Sequence, residues 1–163
     1  MVSLVNESDH SPASNEHKSS WHMKIKVREF EAKELPVLRE LMHELGYPLE
    51  KEELAANVKV IKERGGIIFI AEADGKIAGS IAAAISTGLA EGSYGEIISL
   101  VVFKDFRGKG VGKELVLKAE QWLKPRVKKI RVRANSIRLK AHEFYKALGY
   151  KEIKSQKSFM KKA

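Results

Sequence analysis

No cysteine occurs among the 163 residues, which excludes disulfides, thiolate metal sites and a cysteine nucleophile. That absence suits a reducing compartment. Long apolar runs are missing too. Ile97-Ile98 and Leu100-Val101-Val102-Phe103 fall far short of the roughly 20 residues that span a bilayer. Met1 to Leu4 shows neither the cationic start nor the apolar stretch of a secretory signal. The expectation is a cytoplasmic protein without a membrane partner. No pair of histidines has metal-ligand spacing with a carboxylate partner, so no metal is expected. Acidic residues are in deficit, with 30 Lys plus Arg against 21 Asp plus Glu and a formal charge of +9. Such a balance suits nucleic acid, an anionic membrane or a phosphorylated cofactor, and equally a solvated lysine surface. Without a helix-turn-helix, zinc finger or aromatic RNA-binding block, nucleic acid is not the expected partner.

What is present divides in two. Residues 1–22 are rich in Ser and Asn, with few apolar side chains to bury, and read as a flexible extension. Residues 23–163 carry regular patterns and read as one domain. Ile25 and Val27 alternate with lysine and arginine as in a half-buried strand. Leu35, Leu38, Met42 and Leu45 have helical spacing, with Pro36 in the first turn and Gly46 as C-cap. Leu54, Val58 and Ile61 mark a second helix, ending at Gly65-Gly66. Two strands, 67–73 and 76–86, meet across Asp74-Gly75, a hairpin signal. A long apolar strand from Tyr94 to Phe103 leads to a glycine turn and a helix bearing Val111, Leu115, Ala119 and Trp122. Val127, Ile130 and Val132 suggest another strand. A last helix, capped at Asn135 or Ser136, carries Ile137, Ala141, Phe144 and Leu148 and stops at Gly149. Residues 150–160 are expected to add one or two closing strands. The resulting order is β-α-α-β-β-β-α-β-α-β-β, an α/β (α+β) fold.

The glycine turn is an anion site on physical grounds. Gly108, Gly110 and Gly112 lack the Cβ atoms that would block close approach. The first N–H groups of the following helix have no intrahelical partner, and the helix dipole makes that end positive. Arg107, Lys109 and Lys113 add full charges. A nucleotide P-loop does not fit, because Gly112-Lys113 is followed by Glu114 and Arg107 stands where the first glycine belongs. The dinucleotide fingerprint also fails, since the spacing is G-x-G-x-G.

Arg107-Gly108-Lys109-Gly110-Val111-Gly112 does resemble the coenzyme A signature R/Q-x-x-G-x-G/A of the GCN5-related N-acetyltransferase (GNAT) superfamily. The strand Glu96-Ile97-Ile98-Ser99-Leu100-Val101-Val102 resembles that family's central strand. Asn135, with the block Ala141 to Tyr150, resembles its second motif. The resemblance spans roughly residues 23–160 and implies a mixed, mostly antiparallel sheet of six to seven strands flanked by about four helices.

It also implies acetyl-CoA as cosubstrate and transfer of acetyl to a primary amine of a small molecule, peptide or protein. By carry-over, backbone groups of Leu100, Val101 and Val102 would bind the pantetheine arm. The segment Arg107, Gly108, Lys109, Gly110, Val111, Gly112 and Lys113 would take the pyrophosphate, and Asn135 would hydrogen-bond the pantetheine region. Tyr145 matches the family's general acid, against the plainer reading of a core tyrosine. Glu96, the one carboxylate between Gly92 and Val102, is the candidate base or relay. Simple alternation would set it on one face with Ile98, Leu100 and Val102. His142 reads as a surface residue, and His43 lies on the helix expected to wall the acceptor site. The alternative is a non-catalytic acetyl-CoA-binding sensor. A homodimer is compatible with the resemblance, because many relatives dimerise.

Overall fold

The computed structural model describes residues 23–134 and 136–163. The extension expected at residues 1–22 lies outside them, and so does Asn135. Strand β1 (Ile25–Glu29) leads through a 3-10 turn (Ala32–Glu34) into α1 (Leu35–Leu45) and α2 (Lys51–Glu63). Then follow β2 (Ile67–Ala73), β3 (Lys76–Gly88), β4 (Gly92–Val102), a second 3-10 turn (Lys104–Phe106), α3 (Val111–Leu123), β5 (Ile130–Val132) and α4 (Leu139–Ala147). The sheet is five-stranded in the order β1-β2-β3-β4-β5, antiparallel throughout except for the parallel β4–β5 pair. Pro36 sits in the first turn of α1, where its missing N–H costs nothing. Gly46 ends that helix in the left-handed region at φ +103°. Asp74 and Gly75 both have positive φ, as the β2–β3 hairpin requires.

Each face of the sheet is covered. On one face, Leu115, Val116, Ala119 and Leu123 of α3 pack with Ala141 and Tyr145 of α4 over Phe69, Ile81, Ile97, Leu100 and Val102. On the other, Leu38, Leu41 and Leu45 of α1 and Leu54 of α2 pack over Ile68, Ile70, Ala82 and Val101. Burying these side chains supplies the main drive for folding, at roughly 25 cal/mol per Å² of apolar surface. At the β1 end, Glu34 is buried and bonds Arg28 at 2.7 and 2.8 Å, while Arg28 also bonds Glu72. The guanidinium holds the Glu34 carboxyl below its ordinary range.

Three expectations need correction. The sheet has five strands, not six or seven, because residues 151–163 form none and are exposed throughout. Lys151, Lys154, Lys157, Lys161 and Lys162 interrupt every alternation there, so neither face of a strand could be buried. Helix α4 begins at Leu139, after the proposed caps, and Ile137 lies outside it at 81 % exposure. Finally, Glu96 does not share a face with Leu100 and Val102. Ala82 pairs with Ile98 but Ser80 with Val101, so Ser99 and Leu100 together oppose Ile81. This is a β-bulge, with Ser99 at φ +54°. The extra residue turns Leu100 and Val102 to the α3 side and leaves Glu96, Ile98 and Val101 on the α1–α2 side.

Among the described residues, no helix is long and apolar enough to cross a membrane.

Candidate active site

The glycine turn joins the end of β4 to α3. Gly108 and Gly110 adopt φ of +71° and +88°, and a Cβ at either would meet no atom within 4 Å. The backbone there is both strained for other residues and open to a ligand. The first intrahelical bond of α3 runs from the Glu114 N–H to the Gly110 carbonyl at 3.1 Å, and no side chain caps the helix. The N–H groups of Val111, Gly112 and Lys113 thus head a helix with its dipole behind them, an end whose partial charge favours an anion. Lys113 is exposed beside it, and Lys109 donates from Nζ to the Asp105 carbonyl at 3.1 Å. Arg107 turns back instead. Its Nε donates to the Val102 carbonyl at 3.0 Å and its Nη2 lies 3.0 Å from Glu44 on α1. The residue therefore ties the turn to the strand before it and to the opposite layer.

Beside this turn the sheet opens. Strands β4 and β5 pair at Gly95↔Ile130, Glu96↔Arg131 and Ile97↔Val132, and there the pairing stops. β4 continues from Ile98 to Val102 with no strand of the described residues on that side. Backbone donors and acceptors along an unpaired strand edge seek a partner. Leu100, Val101 and Val102 all lie on this free stretch, which runs straight into the glycine turn. Asn135, predicted to face it, falls outside the described residues, just after Ala134. On the α3 side the gap is backed by Val132, Ala134, Phe144 and Tyr145 packed into the core. A concavity lies between the end of α1, at Glu44 to Gly46, and residues Ile137 to Lys140 ahead of α4.

Tyr145 is 4 % exposed and stands edge-on to Phe144 and Tyr150, with ring centroids 5.1 and 5.7 Å away. Its hydroxyl is buried without a hydrogen-bond partner among the described residues, and burial pushes the phenol above its ordinary pKa. A buried hydroxyl left unpaired costs about 1–3 kcal/mol, so a donor here is unspent. Tyr150, by contrast, donates to Glu120 at 3.0 Å.

Glu96 sits across the sheet from Tyr145 and is closely held. Its Oε2 accepts from Ser86 at 2.9 Å, while Oε1 lies 3.2 Å from Arg133 Nε and 3.7 Å from Arg131 Nη2. Arg131 stacks over the Tyr94 ring at 4.2 Å and donates to its hydroxyl. This cluster was not foreseen, since Arg131 and Arg133 meet Glu96 only through the parallel register of β4 and β5. The sole hint in the chain was the alternating pattern Arg131-Val132-Arg133 on a predicted strand. His142 is partly buried on α4 and His43 is exposed on α1. Among the described residues, no group of His, Asp and Glu could hold a metal ion.

Comparison with known proteins bears on this arrangement. A family model described as the acetyltransferase (GNAT) family matches residues 26–150. No curated protein matches the chain in sequence. Similar solved structures include glucosamine-6-phosphate N-acetyltransferase from Arabidopsis thaliana, at 25 % identity and a TM-score of 0.72, covering 84 % of this chain and 98 % of that one. An acetyltransferase from Trypanosoma brucei aligns at 24 % identity and a TM-score of 0.71, covering 84 % and 99 %. An aminoglycoside N-acetyltransferase solved in complex with CoA aligns at 21 % identity and a TM-score of 0.74, covering 86 % and 97 %.

Proposed function

The chain belongs to the acetyltransferase (GNAT) family, and we propose that it transfers acetyl from acetyl-CoA directly to a primary amine of a small molecule, peptide or protein. The observation that carries this reading is the free edge of β4 beyond Ile97, running into a glycine turn whose helix amides are uncapped. The residues present fit the cosubstrate: Gly108 and Gly110 leave open space where side chains would stand, and Tyr145 holds a buried hydroxyl without a partner among the described residues. When bound, acetyl-CoA supplies an acyl thioester.

The chain's own groups then have distinct tasks. Amides of Gly108 to Lys113 hold the pyrophosphate, with Lys109 and Lys113 adding charge. Backbone groups of Leu100, Val101 and Val102 would hold the pantetheine arm along the strand edge, and Asn135, outside the described residues, would hydrogen-bond the same arm. The same edge would offer fixed backbone donors to the thioester carbonyl oxygen. An amine must lose its proton before it attacks, and Glu96, on the α1–α2 side, relays that proton through water. The Tyr145 hydroxyl donates a proton to the departing sulfur.

Thiol release from acetyl-CoA with a broad amine panel tests the reading, with titration calorimetry alongside. Release with at least one amine is expected. Gly110→Glu should abolish binding, because it sets a carboxylate in the cradle and a side chain at φ +88°. Binding without release from any amine would favour the sensor alternative. Unchanged affinity in Gly110→Glu would dismiss the turn as the cofactor site.

A further inference from the structure

The acceptor itself leaves a trace in the polar cluster at the mouth of the gap. Arg133 is the first residue after the last β4–β5 pair, Ile97↔Val132, so it stands where the strands part. Its Nε contact to Glu96 places its side chain on the α1–α2 side of the sheet. Glu96 is 15 % exposed and faces two guanidiniums, so the cluster carries a local positive excess. Arg131 is mostly buried and already engaged by Tyr94 and Glu96. Arg133 differs: it is 70 % exposed and among the described residues pairs with Glu96 alone, through Nε, so the outer fork of the guanidinium is left to solvent.

We propose that Glu96 and Arg133 together recognise the acceptor, and that the acceptor is an amine carrying a carboxylate or phosphate close to the nitrogen to be acetylated. This rests on the acetyl-transfer reading above. A carboxylate and a guanidinium 3.2 Å apart form a dipole that matches a zwitterion turned the opposite way. The ammonium is drawn to Glu96, where it also loses its proton, and the oxyanion takes the fork of Arg133 in a bidentate contact. A polycation meets two guanidiniums for one carboxylate, on a chain of formal charge +9, and is repelled. A neutral amine leaves Arg133 unused.

The test is thiol-release kinetics on the full chain with matched amines that differ only in the acidic group. One pair is an amino acid and its amide. The other is an amino sugar phosphate and the unphosphorylated amino sugar, with a linear polyamine added. The acidic member of at least one pair should have the higher kcat/KM, and which pair responds identifies the oxyanion as carboxylate or phosphate. Arg133→Gln should raise KM for that member about tenfold or more, collapsing the acid-to-neutral ratio, while KM for acetyl-CoA moves little. Arg133→Lys should restore part of the ratio. Preference for neutral amines or the polyamine overturns the recognition pair and leaves acetyl transfer standing, as does a ratio unmoved by Arg133→Gln. Release with none of these amines but with others of the broad panel overturns the recognition pair alone, and release with no amine at all overturns both.

Discussion

Arg107 and Glu44 meet at 3.0 Å, joining the glycine turn on one side of the sheet to the last turn of α1 on the other. The same guanidinium satisfies the Val102 carbonyl at the end of the free strand edge. A residue that sequence alone would count as one more positive charge for the phosphates is thus a brace. Truncating it removes the donor to a carbonyl and one end of an ion pair together.

Arg107→Ala is therefore expected to lower stability by about 1–3 kcal/mol and to weaken acetyl-CoA binding through disorder of the turn. Glu44→Ala, which leaves the Val102 bond intact and removes a partly exposed partner, should cost less than about 1 kcal/mol. Chemical denaturation and calorimetry on both variants check this. Weakened binding in Arg107→Ala without any loss of stability would make the residue a phosphate ligand instead of a brace.

Tyr145→Phe separates stability from chemistry. The hydroxyl it removes has no partner among the described residues, so the folded state should keep its stability or gain up to about 1 kcal/mol. Turnover should fall while acetyl-CoA affinity changes little. Wild-type turnover with improved stability would mark Tyr145 as a core residue alone.

Glu34 makes part of the stability acid-sensitive. Its bonds to Arg28 hold its folded pKa below the unfolded value of 4.5. A depressed carboxylate contributes stability that is fully present above the unfolded pKa and drains away as pH falls toward the folded one. Glu34→Ala should cost about 1–3 kcal/mol near neutrality, because it removes two of the charge-assisted bonds of Arg28, which keeps Glu72 as partner. The loss should shrink as pH drops below about 4.5, where the wild-type carboxyl begins to protonate. Urea denaturation at a series of pH values measures both; a cost independent of pH would remove the ion pair from the account.

Much of this was legible locally. Asp74-Gly75, Gly46 and Gly149 mark turns because a left-handed dihedral is a property of one or two residues. The helices announce themselves by apolar spacing, and the anion cradle by three glycines opening a helix. Where reading failed, the cause was a partner elsewhere in the chain. The bulge at Ser99 exists only against Ile81, and it reverses which face Leu100 and Val102 occupy. Residues 151–163 looked eligible for strands, yet their lysines offer no face that the sheet could bury.

By itself, then, the sequence determined the order of the elements up to α4, the turns and the run of glycines that opens α3, all of which follow from dihedral preference and periodicity over short windows. Only the tertiary structure decided where β4 parts from β5, that Arg107 points away from the cradle, and that Arg131 and Arg133 close on Glu96. Those outcomes depend on pairing register between strands far apart in the chain. A shift of one residue there would turn every side chain to the other face.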